Sequence, residues 1–116
     1  MVSPDTTLRD VASKMYVQSV GAFVVGTSSH PAGVISERDV VRMIGQGADP
    51  DQATAKEAMS SHFVWVRPGD LLFEAASQMM ESEVRHLPVL DDADSVVAMI
   101  SVLDLLQPLL LDAWGG

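Results

Sequence analysis

Leu8, Val11, Ala12 and Met15 fall at the i, i+3, i+4, i+7 spacing of a helix with one buried face, and Leu72, Ala75, Ala76 and Met79 repeat that spacing further along. The spacing predicts an amphipathic helix at each place, with Asp5 and Thr6, or Asp70, as candidate N-terminal caps. Two short β-branched and aliphatic runs follow each helix, at residues 22–25 and 33–35 in the first case and 86–90 and 95–100 in the second. The polar stretches Thr27-Ser28-Ser29-His30-Pro31 and Asp91-Asp92-Ala93-Asp94 separate the runs, so each pair reads as two strands joined by a turn. A further helix is expected to open at Ser36 and run through Val40, Val41 and Ile44 to Gly45, and another at Ser101, stopping or kinking at Pro108.

The two stretches are copies of one unit. At an offset of 64, Val2 meets Val66, Pro4 meets Pro68, Leu8 meets Leu72, Ala12 meets Ala76, Ser13 meets Ser77, Met15 meets Met79, Val20 meets Val84 and Val25 meets Val89. At an offset of 65, Ile35 meets Ile100, Ser36 meets Ser101 and Asp39 meets Asp104, so one residue was gained in the intervening turn. Gly47-Ala48-Asp49-Pro50-Asp51 reads as a linker, and Ala55-Lys56-Glu57-Ala58-Met59 as a short helical turn leading to a strand at residues 63–66. The expected architecture is an α/β fold of the α+β type. It has two β-α-β-β-α repeats, at residues 1–48 and 55–116 about a linker at 49–54, packed sheet to sheet with pseudo-two-fold symmetry. A cleft between the copies is then the natural place for a ligand.

Composition narrows the function. The 116 residues contain no Cys, so disulfides, thiolate nucleophiles and Cys-based zinc sites are excluded, which fits a reducing, cytoplasmic setting. No apolar run approaches the ~20 residues of a membrane helix. The net charge of −9 repels a phosphate backbone, which argues against nucleic acid as a partner. In such an acidic chain the seven Lys and Arg residues become informative by position.

Ser36-Glu37-Arg38-Asp39 and Ser101-Val102-Leu103-Asp104 each set a hydroxyl and a carboxylate three residues apart where a strand becomes a helix. One reading is a helix cap, in which Ser and Asp satisfy orphan amides. The other is a ligand site, in which the helix start and hydroxyl face an anion while the carboxylate accepts hydrogen bonds from vicinal hydroxyls such as those of a ribose.

Gly33-Val34-Ile35-Ser36-Glu37-Arg38-Asp39 and Ala98-Met99-Ile100-Ser101-Val102-Leu103-Asp104 resemble the paired strand-to-helix junctions of tandem CBS domains, named for cystathionine β-synthase. Arg85-His86-Leu87-Pro88-Val89-Leu90-Asp91 is similar to that family's second strand. Met59-Ser60 followed by Val64-Trp65-Val66-Arg67-Pro68-Gly69-Asp70 is similar to its lead-in segment. The resemblance implies a regulatory module, not an enzyme, with no obligatory cofactor. It implies an adenosine-containing ligand (AMP, ADP, ATP, S-adenosylmethionine or a dinucleotide) and a protein partner to which the signal passes. On that resemblance Asp39 holds ribose; Ser36, Arg38, Arg85 and His86 face phosphate; Met59, Ser60, Phe63 and Val64 wall adenine; Pro88 completes the set. For Ser101 and Asp104 a helix cap is the favoured reading and a weaker second site the alternative, because Leu103 stands where the first copy has Arg38, Ala22 stands where the second copy has His86, and the family's lead-in segment is not found before Val2 in this sequence.

The remaining residues read more plainly. His30 and His62 have no ligand-spaced partner, so a metal site is not expected. Met15, Met43 and Met79 fit core packing, and Glu81 and Glu83 a solvated helix end. Leu109, Leu110, Leu111 and Trp114 form an apolar tail suited to a partner subunit, and with the apolar helix stripes they predict a homodimer. A structural or dimerisation module without ligand is the competing class. An enzyme is the weakest, since no nucleophile with an orienting base and no G-x-x-x-x-G-K loop is present.

Overall fold

The computed structural model describes residues 1–70, 72–82 and 84–101, with the side chains of Leu72, Phe73 and Ser82 excepted. The expected second helix of copy two, Glu83, Leu103, Asp104 and the tail residues Leu109, Leu110, Leu111 and Trp114 lie outside the described residues. The chain divides into two compact units, Met1–Phe63 and Val64–Gly116.

In the first unit, helix α1 (Leu8–Gln18) buries Leu8, Val11 and Met15, the stripe that its periodicity requires. Its cap is Thr7 rather than Asp5 or Thr6: the Thr7 hydroxyl accepts from the Asp10 N–H at 3.3 Å. Asp5 and Thr6 are engaged elsewhere, the Asp5 N–H on Ser3 Oγ and the Thr6 carbonyl on the Ala55 N–H. The next two orphan amides of α1 are taken by the chain beyond the first repeat, Leu8 donating to the Ala53 carbonyl and Arg9 to the Pro50 carbonyl, each at 3.0 Å. Arg9 also grips Asp51 with both arms of its guanidinium. That hydrogen bond, reinforced by charge, holds the Asp51 carboxyl below the usual carboxylate range although both side chains are exposed.

Strands β1 (Ala22–Gly26) and β2 (Pro31–Ser36) pair antiparallel from Ala22↔Ser36 to Val25↔Gly33, and the register shifts at Val25/Gly26. The shift is a bulge at which Gly26 takes φ +111°, a conformation open to glycine; a Cβ there would meet the His30 carbonyl oxygen at 2.6 Å. On the other edge of β1, Val2 forms a parallel bridge to Val25. Helix α2 (Glu37–Gly45) starts at Ser36, and the short α3 (Ala55–Ala58) follows the linker. Leu8, Val11, Val25, Ile35, Ala55 and Ala58 are completely buried in one core, against which Met43 and Met59 pack from the rim.

The second unit repeats this plan. Helix α4 (Leu72–Ser82) buries Ala75 and Met79, and strands β3 (His86–Leu90) and β4 (Val96–Ser101) pair antiparallel from His86↔Ser101 to Leu90↔Val96. Val66 bridges Val89 in parallel, the counterpart of Val2 with Val25, and the bulge recurs at Val89/Leu90. The helix exits match as well: Val20 donates to Met15 O and Val84 to Met79 O, both at 3.1 Å. Asp70 closes a turn, its Oδ2 accepting from the Arg67 N–H at 2.8 Å. Val66, Ala75, Met79, Leu87 and Val89 form this unit's own core.

The sequence repeat and the compact units divide the chain at different points. Residues 50–54 belong to the expected linker and 55–63 to the start of the expected second repeat, yet they cap α1, add Ala53, Ala55 and Ala58 to the first core, and lay Ser60 against β2. Hydrogen bonding and burial join that segment to the first unit.

Candidate functional site

The junction at Ser36 is a complete capping box. Ser36 Oγ accepts from the Asp39 N–H at 3.3 Å, while Asp39 Oδ2 accepts from the Ser36 N–H at 2.8 Å and from the Ser36 hydroxyl at 3.0 Å. The capping reading of this motif therefore holds in the first copy, and a cap of this kind stabilises a helix by ~0.5–2 kcal/mol. It does not exhaust the carboxylate. Among the described residues Oδ1 receives only a long contact from Arg42 Nη2 at 3.4 Å, and the Asp39 side chain keeps 23% of its surface exposed. A second acceptor oxygen is thus presented at the helix start. The amides there are less free than the spacing suggests, since the Glu37 N–H donates to Gly21 O at 2.9 Å and the Asp39 N–H is held by Ser36.

The lead-in residues lie on the same strand. Val34 donates to Ser60 O at 3.0 Å and accepts from the Ser60 N–H at 2.9 Å, so the backbone of Ser60 is fixed two residues before the capping serine. The close approach depends on Gly33: a Cβ there would lie 2.5 Å from Ser60 O and 2.7 Å from Met59 Sδ. Met59 packs on the first core, Ser60 is exposed with its hydroxyl donating to the His62 carbonyl at 3.1 Å, and Phe63 is half-buried. Ser36, Asp39, Met59 and Ser60, singled out separately in the sequence, are thereby gathered around the C-terminal half of β2.

The cations divide clearly. Arg9, Arg42 and Arg67 stand in ion pairs with Asp51, Asp39 and Asp94. Arg38 and Arg85 are exposed and, among the described residues, form no ion pair. In the second unit His86 and Ser101 are half-buried partners across the β3–β4 ladder, and Val64 packs against that unit's core. Pro88 is completely buried in β3. His30 and His62 are exposed.

Two residues of the site escaped the sequence reading. Arg42 donates through Nη2 to both Asp39 Oδ1 and the Ala58 carbonyl, the latter at 3.1 Å, and its signal was the i, i+3 spacing from Asp39. Gly33 was visible as a glycine inside a strand run, a common mark of close backbone approach.

The family described as CBS domain matches residues 1–46 and 55–110. The chain is 32% identical over 105 residues to the CBS domain-containing protein YhcV of Bacillus subtilis, covering 90% of this chain and 74% of that protein. It is 33% identical over 107 residues to a protein of Methanopyrus kandleri, of which it spans 55%, against 90% of itself. A solved CBS domain protein of Pyrobaculum aerophilum, complexed with AMP, superposes with a TM-score of 0.82 at 29% identity, covering 99% of this chain and 92% of that one.

Proposed function

The chain belongs to the CBS-domain family, and from that premise we propose that it is a non-catalytic, cytoplasmic regulatory module that binds an adenosine phosphate and passes the signal to a protein partner. The observation that carries the reading is the convergence on β2: a capped carboxylate with one acceptor oxygen to spare, and the lead-in backbone of Met59 and Ser60 fixed two residues away. In this reading Asp39 Oδ1 accepts from the ribose hydroxyls and Met59, Ser60 and Phe63 wall the adenine. Ser36 and Arg38 serve the phosphate, with the exposed Arg38 as its main counter-charge. The AMP complex of the Pyrobaculum protein supports the ligand class. Local cations are needed because the chain as a whole carries −9.

Calorimetry of AMP against adenosine tests the reading. Charge-assisted hydrogen bonds contribute ~1.5–3 kcal/mol each, so AMP should bind about 10- to 150-fold more tightly than adenosine, and Arg38→Ala should erase much of that difference. Equal affinity for the two ligands would remove the phosphate assignment, and no binding of either would remove the reading. Asp39→Asn is the informative change at the carboxylate, since an amide oxygen can keep the Ser36 contact while Asp39→Ala would also remove the carboxylate half of the capping box.

A second reading, association of two copies of this chain, draws on exposed apolar side chains, among them Tyr16 at 87%, Val17 at 75% and Val41 at 69%. Light scattering at micromolar concentration should then give twice the monomer mass, and a monomer with and without AMP would reject it.

A further inference from the structure

We propose that Arg42 is the positioning residue of the nucleoside site, coupling the carboxylate on α2 to the lead-in peptide that follows α3. The inference rests on the nucleoside reading above and adds to it a residue outside both the S-x-x-D motif and the phosphate set. One nitrogen of Arg42, Nη2, lies 3.4 Å from Asp39 Oδ1 and 3.1 Å from the Ala58 carbonyl oxygen. Ala58 ends α3, and the next two residues are Met59, packed on the first core, and Ser60, paired with Val34. A single guanidinium therefore touches both parts that must hold their spacing if ribose and adenine are to be recognised together.

The geometry sets what each contact can do. Asp39 Oδ2 is saturated by two donors from Ser36, so rotation of the carboxylate is resisted on that side by the cap and on the other by Arg42. The contact to Oδ1 is long and half-open, with 50% of the Arg42 side chain exposed, so a ligand hydroxyl can share that oxygen without expelling the arginine. The Ala58 carbonyl is an end-of-helix acceptor with no later helical turn to satisfy it, and a cation is favoured there. Lysine would keep the charge and could donate to both acceptors, but not from a planar NH₂ group that fixes the angle between its two N–H bonds.

A positioning role and a phosphate role leave different signatures. Arg42→Gln should weaken AMP and adenosine by the same factor, about 3- to 10-fold for the loss of a part-exposed charge-assisted contact, whereas Arg38→Ala weakens AMP alone. The Arg42→Gln penalty should shrink with 2′-deoxyadenosine, because a ligand lacking one of the vicinal hydroxyls draws less on the orientation of Asp39. Arg42→Lys should fall between the unaltered chain and Arg42→Gln. Calorimetry with these three ligands, with thermal unfolding to confirm that each variant is folded, decides the matter. Unchanged adenosine affinity in Arg42→Gln overturns the inference and leaves the nucleoside reading standing. An equal penalty with and without the 2′-hydroxyl also overturns it, since a general loosening of the fold would act that way. If the unaltered chain binds neither AMP nor adenosine, the nucleoside reading falls and the inference falls with it.

Discussion

The two units carry one backbone plan and two different surfaces. Strand pairing, the bulge at the end of the first strand, the parallel valine bridge and the helix exit all recur, yet the residues set on that frame diverge where a ligand would be met. Opposite the serine that ends the second strand stands Ala22 in the first unit and His86 in the second. Where β2 has Gly33 beneath the backbone of Ser60, β4 has Ala98, exposed and bearing the Cβ that an approach as close as that of Ser60 would strike. Buried valines and a hydrogen-bond ladder tolerate only a few residue types and so keep the frame recognisable. Positions at the ends of strands and starts of helices face fewer neighbours and can differ in chemistry without disturbing it.

Truncating the matched core isoleucines should expose the difference in packing most strongly. Ile35 is completely sealed in the first core, whereas Ile100 packs half-buried on the edge of the second. Ile35→Ala should lower stability by ~2–5 kcal/mol and Ile100→Ala by distinctly less, because a sealed site leaves a cavity and a half-exposed one lets water in. Denaturant titration of both variants checks this; equal losses would mean that the two cores are equally closed.

A smaller effect should come from exchanging the small residues at the matched strand positions. Gly33→Ala drives a methyl group against backbone and thioether and should destabilise the fold by ~1–3 kcal/mol while weakening AMP binding, since the lead-in segment must move. Ala98→Gly should stay within about 1 kcal/mol, the ordinary effect of a glycine in a strand, and leave binding unchanged. Thermal unfolding with and without AMP measures both. A silent Gly33→Ala would show that the approach of Ser60 can relax, and the contrast drawn between β2 and β4 would then fail.

Much of this was legible beforehand because periodicity and duplication are local, one-dimensional signals. The helical stripe of Leu8, Val11 and Met15, the paired strands and the Ser36–Asp39 box all follow from residue types at fixed short spacings. The caps were harder to assign. Asp5, Thr6 and Thr7 are all competent by type, and only the route of residues 50–55 past the start of α1 selects Thr7. Pro88 carried the resemblance as part of a strand motif, but its burial depends on what covers β3, which a motif does not encode.

By itself, then, the sequence determined the repeat, the kind of each described helix and paired strand and most of the chemically capable side chains, since each depends on side-chain spacing along one short segment. The strand expected at residues 63–66 is a single bridge at Val66. Only the tertiary structure decided that residues 50–63 join the first unit, that Gly33 makes room for Ser60, and that Arg42 reaches both Asp39 and Ala58. Those facts depend on atoms far apart in the chain meeting within a few ångströms, and such meetings are set by how buried faces and unsatisfied backbone groups find partners in three dimensions.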